Sequence, residues 1–415
     1  SFRADGEIES ETEHGAGCAE IVYDIAPDAA YYFVNYGTDT EYFNAVDYLE
    51  SESVDVVSHS ISWFLSGAYD GSSDVSQRID TARSNGIFWA NSAGNYADQH
   101  WEGYFDNDGS GNHIWDSGSG ATVNELGLIG SGVTVTAYLS WDNWVPLSTN
   151  DYDMYLMYST GGDWSVEASS TTDQSTGDQP PTEDISYKTD KLGFYGLLVT
   201  KVSGSDQYLD LFTTRQSLEY PVAMGSVPNA ADAAGAITVA AVDASDYNAT
   251  GLESYSSHGP TNATGGGEPN YGNGSYTKPD ISGPDKVSTV TYGTLGFGGT
   301  SASTPHTAGA ATLYMSGYNN AYGALPTVSQ TQTYLENCAE EKYDWGTDTD
   351  GIKNNQFGAG GLYMCQTPTA VRVIELYALN AVNLTLQALA ASVAFILIVA
   401  GLIGYHARKK EVKTN

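Results

Sequence analysis

Basic residues and cysteines are both scarce in this sequence. Its 415 residues include 16 Lys and Arg against 51 Asp and Glu, which gives a net charge of −35, and only 3 Cys. A surface this acidic repels phosphates, so the composition excludes nucleic acid as a partner. The widely spaced cysteines exclude a disulfide-rich miniprotein and form no CxxC or Cys/His cluster for zinc. The 41% of hydrophobic residues predicts instead a sizeable core in two or more domains.

An initiator methionine and an apolar signal segment are also missing at the start of the sequence, but a long hydrophobic run lies near its other end. Residues 388–405 read ALAASVAFILIVAGLIGY, without a charge, and a basic cluster follows at residues 408–410. A buried core helix is the alternative, but this run is apolar on every face and long enough to span a bilayer. We therefore predict a transmembrane helix over 384–405, with the basic tail in the cytoplasm and the acidic bulk outside the cell membrane. Because that topology requires export, we expect a segment upstream of this sequence.

An exterior location would have two consequences for side-chain chemistry. Four Asn-x-Ser/Thr triplets permit glycosylation, at Asn248, Asn262, Asn273 and Asn383. Oxidising surroundings would also allow Cys338 to pair with Cys365, which leaves Cys18 as a buried small hydrophobe. We thus expect a glycoprotein with at most one disulfide bond.

Helix patterns alternate with two short apolar runs in the first hundred residues. The runs VDVVSHSI at 54–61 and IFWA at 87–90 are typical of buried strands. Between them, Ser73 or Asp74 can cap a helix that ends at Gly86. Strand, helix and strand with short connections predict a parallel sheet covered by helices on both faces. In such sheets, functional residues collect just beyond the carboxyl ends of the strands.

The composition then shifts to Gly, Ser, Thr and Asp over residues 101–216. Apolar and polar residues alternate in short runs there, at 133–141, 151–158, 195–202 and 208–212. Such runs between turn-rich stretches predict an antiparallel β-sandwich. The α/β pattern returns with a buried strand at 237–242 and an Ala-rich helix at 301–315. The sandwich is therefore predicted to be an insertion within an α/β domain.

The string GFGGTSASTPHTAGAATL at 296–313 carries the strongest chemical signal. Glycines that lead directly into a helix would place Ser301 at the helix start, near the positive end of the helix dipole. A Gly-rich helix cap would explain Ser301 alone, but the whole string resembles the nucleophile motif of the subtilisin-like serine proteases. Thr304 and Thr307 stand where that family more often has Ala and Val.

Two further stretches resemble the same family in the expected order. IFWANSAGN at 87–95 is similar to the turn that presents the oxyanion-hole asparagine, which implies that Asn95 donates to the tetrahedral intermediate. EHGAGCAEIVYDIAPDAAYYFV at 13–34 is similar to the segment with the catalytic histidine, followed by a helix and then a strand. This implies that His14 takes the proton from the nucleophile. Ala16 departs from the Thr usual in the family.

VVSHSISW at 56–63 resembles the strand on which the family binds peptides. The resemblance implies that Ser60, Ile61 and Ser62 bind substrate through added-strand hydrogen bonds. It covers about residues 12–100 and 217–366.

The family's catalytic aspartate has no counterpart in this sequence. It ends the first strand of the sheet, well upstream of the histidine, whereas only thirteen residues precede His14 here. The acidic residues among them resemble a solvated charge run, and they are Asp5, Glu7, Glu9, Glu11 and Glu13. We expect the catalytic acid to lie upstream of this chain. Residues 1–415 alone should therefore have little activity.

The chemistry implied by the family requires no cofactor. Structural calcium is allowed by two Asp-rich strings, DNDGSG at 106–111 and DWGTDTDG at 344–351. Neither string has EF-hand spacing, and solvated turns are the alternative interpretation.

Together these observations predict an α/β protein with a subtilisin-like parallel sheet, an inserted antiparallel β-sandwich and a C-terminal transmembrane helix. The predicted segments are a first protease part at 1–100, the sandwich at 101–216, a second protease part at 217–366, a juxtamembrane linker at 367–383, the membrane helix at 384–405 and the basic tail at 406–415. The predicted function is that of a membrane-tethered serine endopeptidase acting on extracellular proteins or peptides. The alternatives are a catalytically inactive scaffold or binding protein of the same fold, and an adhesin dominated by the sandwich.

Overall fold

The computed structural model describes residues 1–8, 12–144, 147, 149–247, 251–270, 274–345 and 353–365. Residues 1–314 and 326–364 form one compact unit. None of the helices in the described part of the chain is both long and apolar enough to cross a membrane. The predicted membrane helix at 384–405 and the tail at 406–415 lie outside the described residues.

Five α-helices, a short 3-10 helix (Ala244–Asp246) and fourteen strands are formed by the described residues. The helices are α1 (His14–Ile25), α2 (Asp39–Ser51), α3 (Asp74–Ser84), α4 (Thr300–Tyr322) and α5 (Val328–Tyr343). The strands are β1 (Val56–His59), β2 (Phe88–Ser92), β3 (His100–Tyr104), β4 (Asn124–Ile129), β5 (Thr134–Trp141), β6 (Asp151–Ser159), β7 (Ser165–Ser170), β8 (Thr182–Lys188), β9 (Gly193–Ser203), β10 (Tyr208–Thr213), β11 (Ile237–Asp243), β12 (Ile281–Asp285), β13 (Val287–Thr289) and β14 (Gly293–Phe297).

A parallel sheet with the strand order β1-β2-β11-β12 forms the centre of the α/β part. Its strands are short and mostly buried, as expected for a parallel sheet covered by other elements. Helices α2 and α3 pack their apolar sides against β1 and β2 through Val46, Ile79 and Trp89. Ser73 caps α3 by accepting a hydrogen bond from the Ser76 amide, as the sequence predicts.

The strand implied after Ala26 and Pro27 is not formed, and that expectation was wrong. Residues 30–36 have no regular secondary structure, because no strand of the described residues lies beside them to complete a hydrogen-bonded ladder. The amide of Phe2 donates to the carbonyl of Asn35 at 3.0 Å, which is too little pairing for a strand. The ring of Tyr36 instead stacks on Trp63.

The sandwich consists of two antiparallel sheets with the strand orders β3-β10-β5-β8 and β4-β9-β6-β7. The core between them contains Trp101, Leu139, Trp141, Met154 and Leu211, each at most 8% exposed. The sequence patterns do not specifically predict four of the sandwich strands, β3, β4, β7 and β8. Their patterns are weak because β4 contains a bulge at Gly127, and β7 is a mostly polar edge strand.

The structure also bears on the cysteines and on one glycosylation triplet. Cys338 and Cys365 are both disulfide-bonded, and Cys18 is a free thiol. Asn262 is only 1% exposed, and its amide donates to the carbonyl of Ala68. That triplet is therefore inaccessible in the folded protein, while the other three asparagines lie outside the described residues.

Candidate active site

Ser301 is the second residue of α4 and is partly accessible to solvent. The preceding Gly299 has a φ of +89°, a conformation that favours glycine, and its amide donates to Asp285 Oδ2 at 2.9 Å. A Cβ atom at position 299 would lie 2.9 Å from the side-chain nitrogen of Asn95. The Gly-Thr-Ser sequence is thus needed for a tight turn that presents a hydroxyl at a helix N-terminus.

Asn95 is held directly against that turn. Its Oδ1 accepts hydrogen bonds from the Thr300 amide at 2.9 Å and from the Thr300 hydroxyl at 3.0 Å. The same hydroxyl accepts a hydrogen bond from the amide of Gly94 at 3.2 Å. Since Oδ1 is occupied, the orientation of the amide is fixed, and Nδ2 has no hydrogen-bond acceptor among the described residues. This nitrogen is therefore available to donate to a ligand beside Ser301.

His14 is the first residue of α1 and lies on the same side of the molecule as Ser301. Its ring packs edge-on against Phe297, with ring centroids 5.8 Å apart. One turn further along α1, Cys18 places its Sγ 3.5 Å from the carbonyl oxygen of Ser301. Burial lowers the pKa of His14, so the imidazole favours its neutral form, as a general base must.

Helix α1 contacts the start of α4 through Cys18, but the predicted catalytic pair is not joined by a hydrogen bond. Within the described residues, no hydrogen bond links the His14 ring to the Ser301 hydroxyl or to a carboxylate. Asp5 is instead engaged by Arg3 and by the amide of Glu7. Without a carboxylate at its other nitrogen, nothing fixes the tautomer and direction of the imidazole.

Cys18 differs from the expected buried hydrophobe. It is only half-buried, and its thiol contacts the carbonyl of Ser301, which the hydroxyl of Ser60 also reaches at 3.2 Å. Burial raises the pKa of Cys18 to about 11, so the thiol is protonated and unreactive at neutral pH.

The predicted peptide-binding residues directly follow β1. Among the described residues, the peptide groups of Ile61 and Ser62 have no backbone hydrogen-bond partner, and Ile61 is 43% exposed. An open, extended segment of this kind can accept the backbone of an added strand. Since the Ser60 hydroxyl contacts the Ser301 carbonyl, such a strand would pass next to the nucleophile.

Comparison with known proteins agrees with this geometry, since the model of the subtilase family matches residues 4–360. The chain belongs to the subtilase family. Its fold is similar to the structure of the Clostridium perfringens CspB protease, with 18% identity, a TM-score of 0.56, and 84% of this chain and 80% of that chain covered. A lanthipeptide protease is 14% identical with a TM-score of 0.38, and the two chains are covered to 85% and 73% respectively. No curated protein sequence is significantly similar to this one.

In this subtilase, buried ion pairs support the sheet beneath the site. Asp280 in the Lys-Pro-Asp sequence forms ion pairs with the ammonium groups of Lys278 at 2.8 Å and Lys353 at 2.7 Å. Burial would raise the pKa of Asp280, but the two lysines outweigh it and hold this pKa below its usual range. The amide of Thr238 donates to the same carboxylate and ties β11 to the start of β12.

Sequence reasoning missed a second cluster of ionisable side chains in the subtilase. It consists of His100, Glu102 and Asp210, all buried. No local pattern could reveal it, since Asp210 comes from a strand more than a hundred residues after the other two. In the first Asp-rich string, the carboxylate of Asp108 accepts three hydrogen bonds within its own turn. The second string lies mostly outside the described residues.

Proposed function

We propose that this subtilase is a serine endopeptidase in which Ser301 is the nucleophile, His14 the general base and Asn95 the oxyanion donor. The observation that carries the proposal is the attachment of the Asn95 amide to Thr300. Two hydrogen bonds to Oδ1 leave Nδ2 directed away from the protein's own acceptors, next to the nucleophile. An inactive scaffold has no need of an amide oriented in this way.

The proposed reaction begins with a peptide paired along residues 60–62. Ser301 Oγ attacks the scissile carbonyl while His14 removes the hydroxyl proton. The carbonyl oxygen becomes an oxyanion that receives a hydrogen bond from Asn95 Nδ2, and the N-terminus of α4 favours the same charge. His14 then protonates the leaving amine, and water hydrolyses the acyl-enzyme by the reverse sequence of proton transfers.

We assign the role of orienting His14 to a carboxylate that lies outside the described residues. An aspartate on a strand upstream of this chain would supply it, as the family resemblance implies. Strand β1 lies at the edge of the parallel sheet, so its outer hydrogen-bonding groups are open to such a strand.

We also propose that the protease acts outside the cell while anchored by residues 384–405, because a basic cluster follows that apolar run. Protease shaving of intact cells, with antibodies to both ends of the chain, tests this topology. Loss of the epitope at 406–415 under shaving would contradict a cytoplasmic tail.

A serine-reactive phosphonate applied to the natural protein tests the catalytic assignment. We expect one covalent adduct, located at Ser301 by peptide mapping, and loss of both adduct and peptide hydrolysis in Ser301→Ala. Ser329→Ala is the matched control, since Ser329 is exposed on α5. A well-folded natural protein that forms no adduct and cleaves no peptide would instead identify an inactive scaffold.

A further inference from the structure

We propose that His100, Glu102 and Asp210 bind a divalent transition-metal ion, of the Zn²⁺ type, where the sandwich meets the protease part. His100 and Glu102 are two residues apart on β3, so their side chains lie on one face of the sheet. Asp210 on β10 stands directly opposite Glu102 in the antiparallel ladder. One candidate ligand atom from each residue lies within 4.8 Å of the other two.

The hydrogen bonds of His100 favour a cation beside its ring. Nδ1 lies 2.7 Å from the carbonyl oxygen of Val222, so this nitrogen must carry a proton and donate it. In the neutral ring, Nε2 is then an acceptor, yet it faces a carboxylate oxygen of Asp210 at 3.1 Å. Two acceptors at this distance need a proton or a metal ion between them. Metal-binding histidines commonly donate their other N–H to a backbone carbonyl in this way.

The environment of Glu102 favours a metal ion over a proton between His100 and Asp210. Glu102 is only 6% exposed, and although the Tyr208 hydroxyl interacts with its carboxyl group, Oε2 has no hydrogen-bond partner in the part of the chain that the structure describes. An imidazolium at His100 would satisfy Asp210 but leave this buried oxygen without a partner, at a cost of about 1–3 kcal/mol or more. A metal ion bound by all three side chains satisfies both carboxylates.

Neighbouring residues contact the carboxylates of Glu102 and Asp210 closely. The backbone of Gly225 approaches Glu102 so closely that a Cβ there would lie 2.0 Å from Oε2, and its φ of +74° also favours glycine. The amide of Asn262 donates to Asp210 Oδ2 at 2.9 Å and to the carbonyl of Ala68. Asn262 thus orients one ligand from the protease part, so metal binding would fasten the inserted sandwich to that part.

The composition of the cluster indicates the class of metal. A neutral imidazole with two carboxylates carries a charge of −2, which a divalent ion neutralises. Nitrogen is a ligand for Zn²⁺ but not for Ca²⁺, which takes oxygen ligands. Tetrahedral Zn²⁺ holds its ligand atoms roughly 3.4 Å apart, which is close to the 3.1 Å between His100 Nε2 and Asp210 Oδ1.

Metal analysis of the whole protein tests the proposal. After chelator treatment and gel filtration, we expect the protein to take up one equivalent of Zn²⁺ and to melt at a higher temperature. Replacement by Co²⁺ should give the visible spectrum of a tetrahedral nitrogen and oxygen site. Failure to bind equimolar Zn²⁺, or an equal rise in melting temperature with Ca²⁺, would overturn the assignment.

Variants locate the ion within the protein. Glu102→Gln and Asp210→Asn should each lower Zn²⁺ affinity at least about 100-fold, the upper end of the effect of losing a supporting group. Asp184→Asn removes an exposed carboxylate from β8 of the same sheet and should bind Zn²⁺ like the original protein. Unchanged binding by both ligand variants would refute the site. If those variants do not fold, X-ray absorption of the Zn²⁺-loaded original protein decides, because a shell without imidazole excludes His100.

Discussion

Asn95 Oδ1 accepts two hydrogen bonds from Thr300, one from its amide at 2.9 Å and one from its hydroxyl at 3.0 Å. Thr300 is itself fixed by the amide of Gly94 and by its position at the start of α4. The strand-to-turn segment that ends at Asn95 and the turn before Ser301 are therefore a single hydrogen-bonded unit. Any movement of the nucleophile carries the amide with it, which is the pre-organisation that oxyanion stabilisation needs.

Asn95→Ala should lower kcat by about 10²- to 10³-fold and change KM little, because the lost bond forms only with the oxyanion. Steady-state kinetics on a peptide substrate measures both constants. Thr300→Val keeps the backbone donor to Oδ1 but removes the hydroxyl, so we expect a smaller loss of kcat. A rise in KM that accounts for the whole loss in Asn95→Ala would assign the amide to substrate binding instead.

The pH profile of kcat/KM should lose activity on the acid side as His14 becomes protonated, because His14 must be neutral to accept a proton. Burial lowers the pKa of His14, whereas the carboxylate proposed to orient it would raise that pKa. Phe297→Leu reduces the cover on the ring and should move this limb to higher pH. A limb at the same pH in both proteins would show that burial against Phe297 does not affect the pKa of His14.

The sequence predicted those parts of the fold in which local pattern and tertiary structure agree. Ser73 and Gly86 correctly predicted the ends of α3, and the apolar run at 237–242 becomes β11 with one residue added. The strand expected after Pro27 failed for a physical reason. Strand formation depends on a partner strand, and the apolar residues at 31–34 have none beside them in the part of the chain that the structure describes.

In the candidate site too, local features could be predicted from the sequence and features that depend on tertiary contacts could not. The glycines before Ser301 reveal a tight turn in the sequence, because only the left-handed φ of Gly299 permits it. The cluster of His100, Glu102 and Asp210 could not be anticipated, since the partner of Glu102 is set by the register of β3 against β10. Residues distant in sequence become neighbours through strand pairing, which a single sequence does not encode in any local pattern.

Asp280→Asn should lower the free energy of unfolding by about 3–5 kcal/mol, because it leaves the buried Lys278 without its counter-charge, whereas Lys353 keeps its ion pair with Glu336. The side chain of Lys278 is 3% exposed and that of Lys353 is 24% exposed, so Lys278 suffers most. Urea unfolding followed by circular dichroism gives the difference. The double variant Asp280→Asn/Lys278→Met should lose less than the single variant, and a single-variant loss below about 1 kcal/mol would contradict a stabilising role for the pair.

Stability below neutral pH should depend on His59. This side chain is 7% exposed in the sheet, its Nδ1 lies 2.6 Å from Asn91 Oδ1, and burial lowers its pKa to about 4. The unfolded chain therefore binds a proton between about pH 6.5 and pH 4 that the folded chain does not. The unfolding free energy should fall with decreasing pH over that window, by up to about 1.4 kcal/mol per pH unit for this group.

His59→Gln isolates that contribution, because other groups that titrate in the window remain in both proteins. Asp232 is one of them: burial raises its pKa to about 6, so it works in the opposite direction and stabilises the folded state as pH falls. At pH 8, the difference in unfolding free energy between the two proteins measures only the packing and hydrogen bonds lost with the imidazole. Toward pH 4 this difference should shrink, since only the original protein pays for keeping a histidine neutral. A difference that stays constant from pH 8 to pH 4 would mean that His59 is protonated in the folded state as readily as in the unfolded chain.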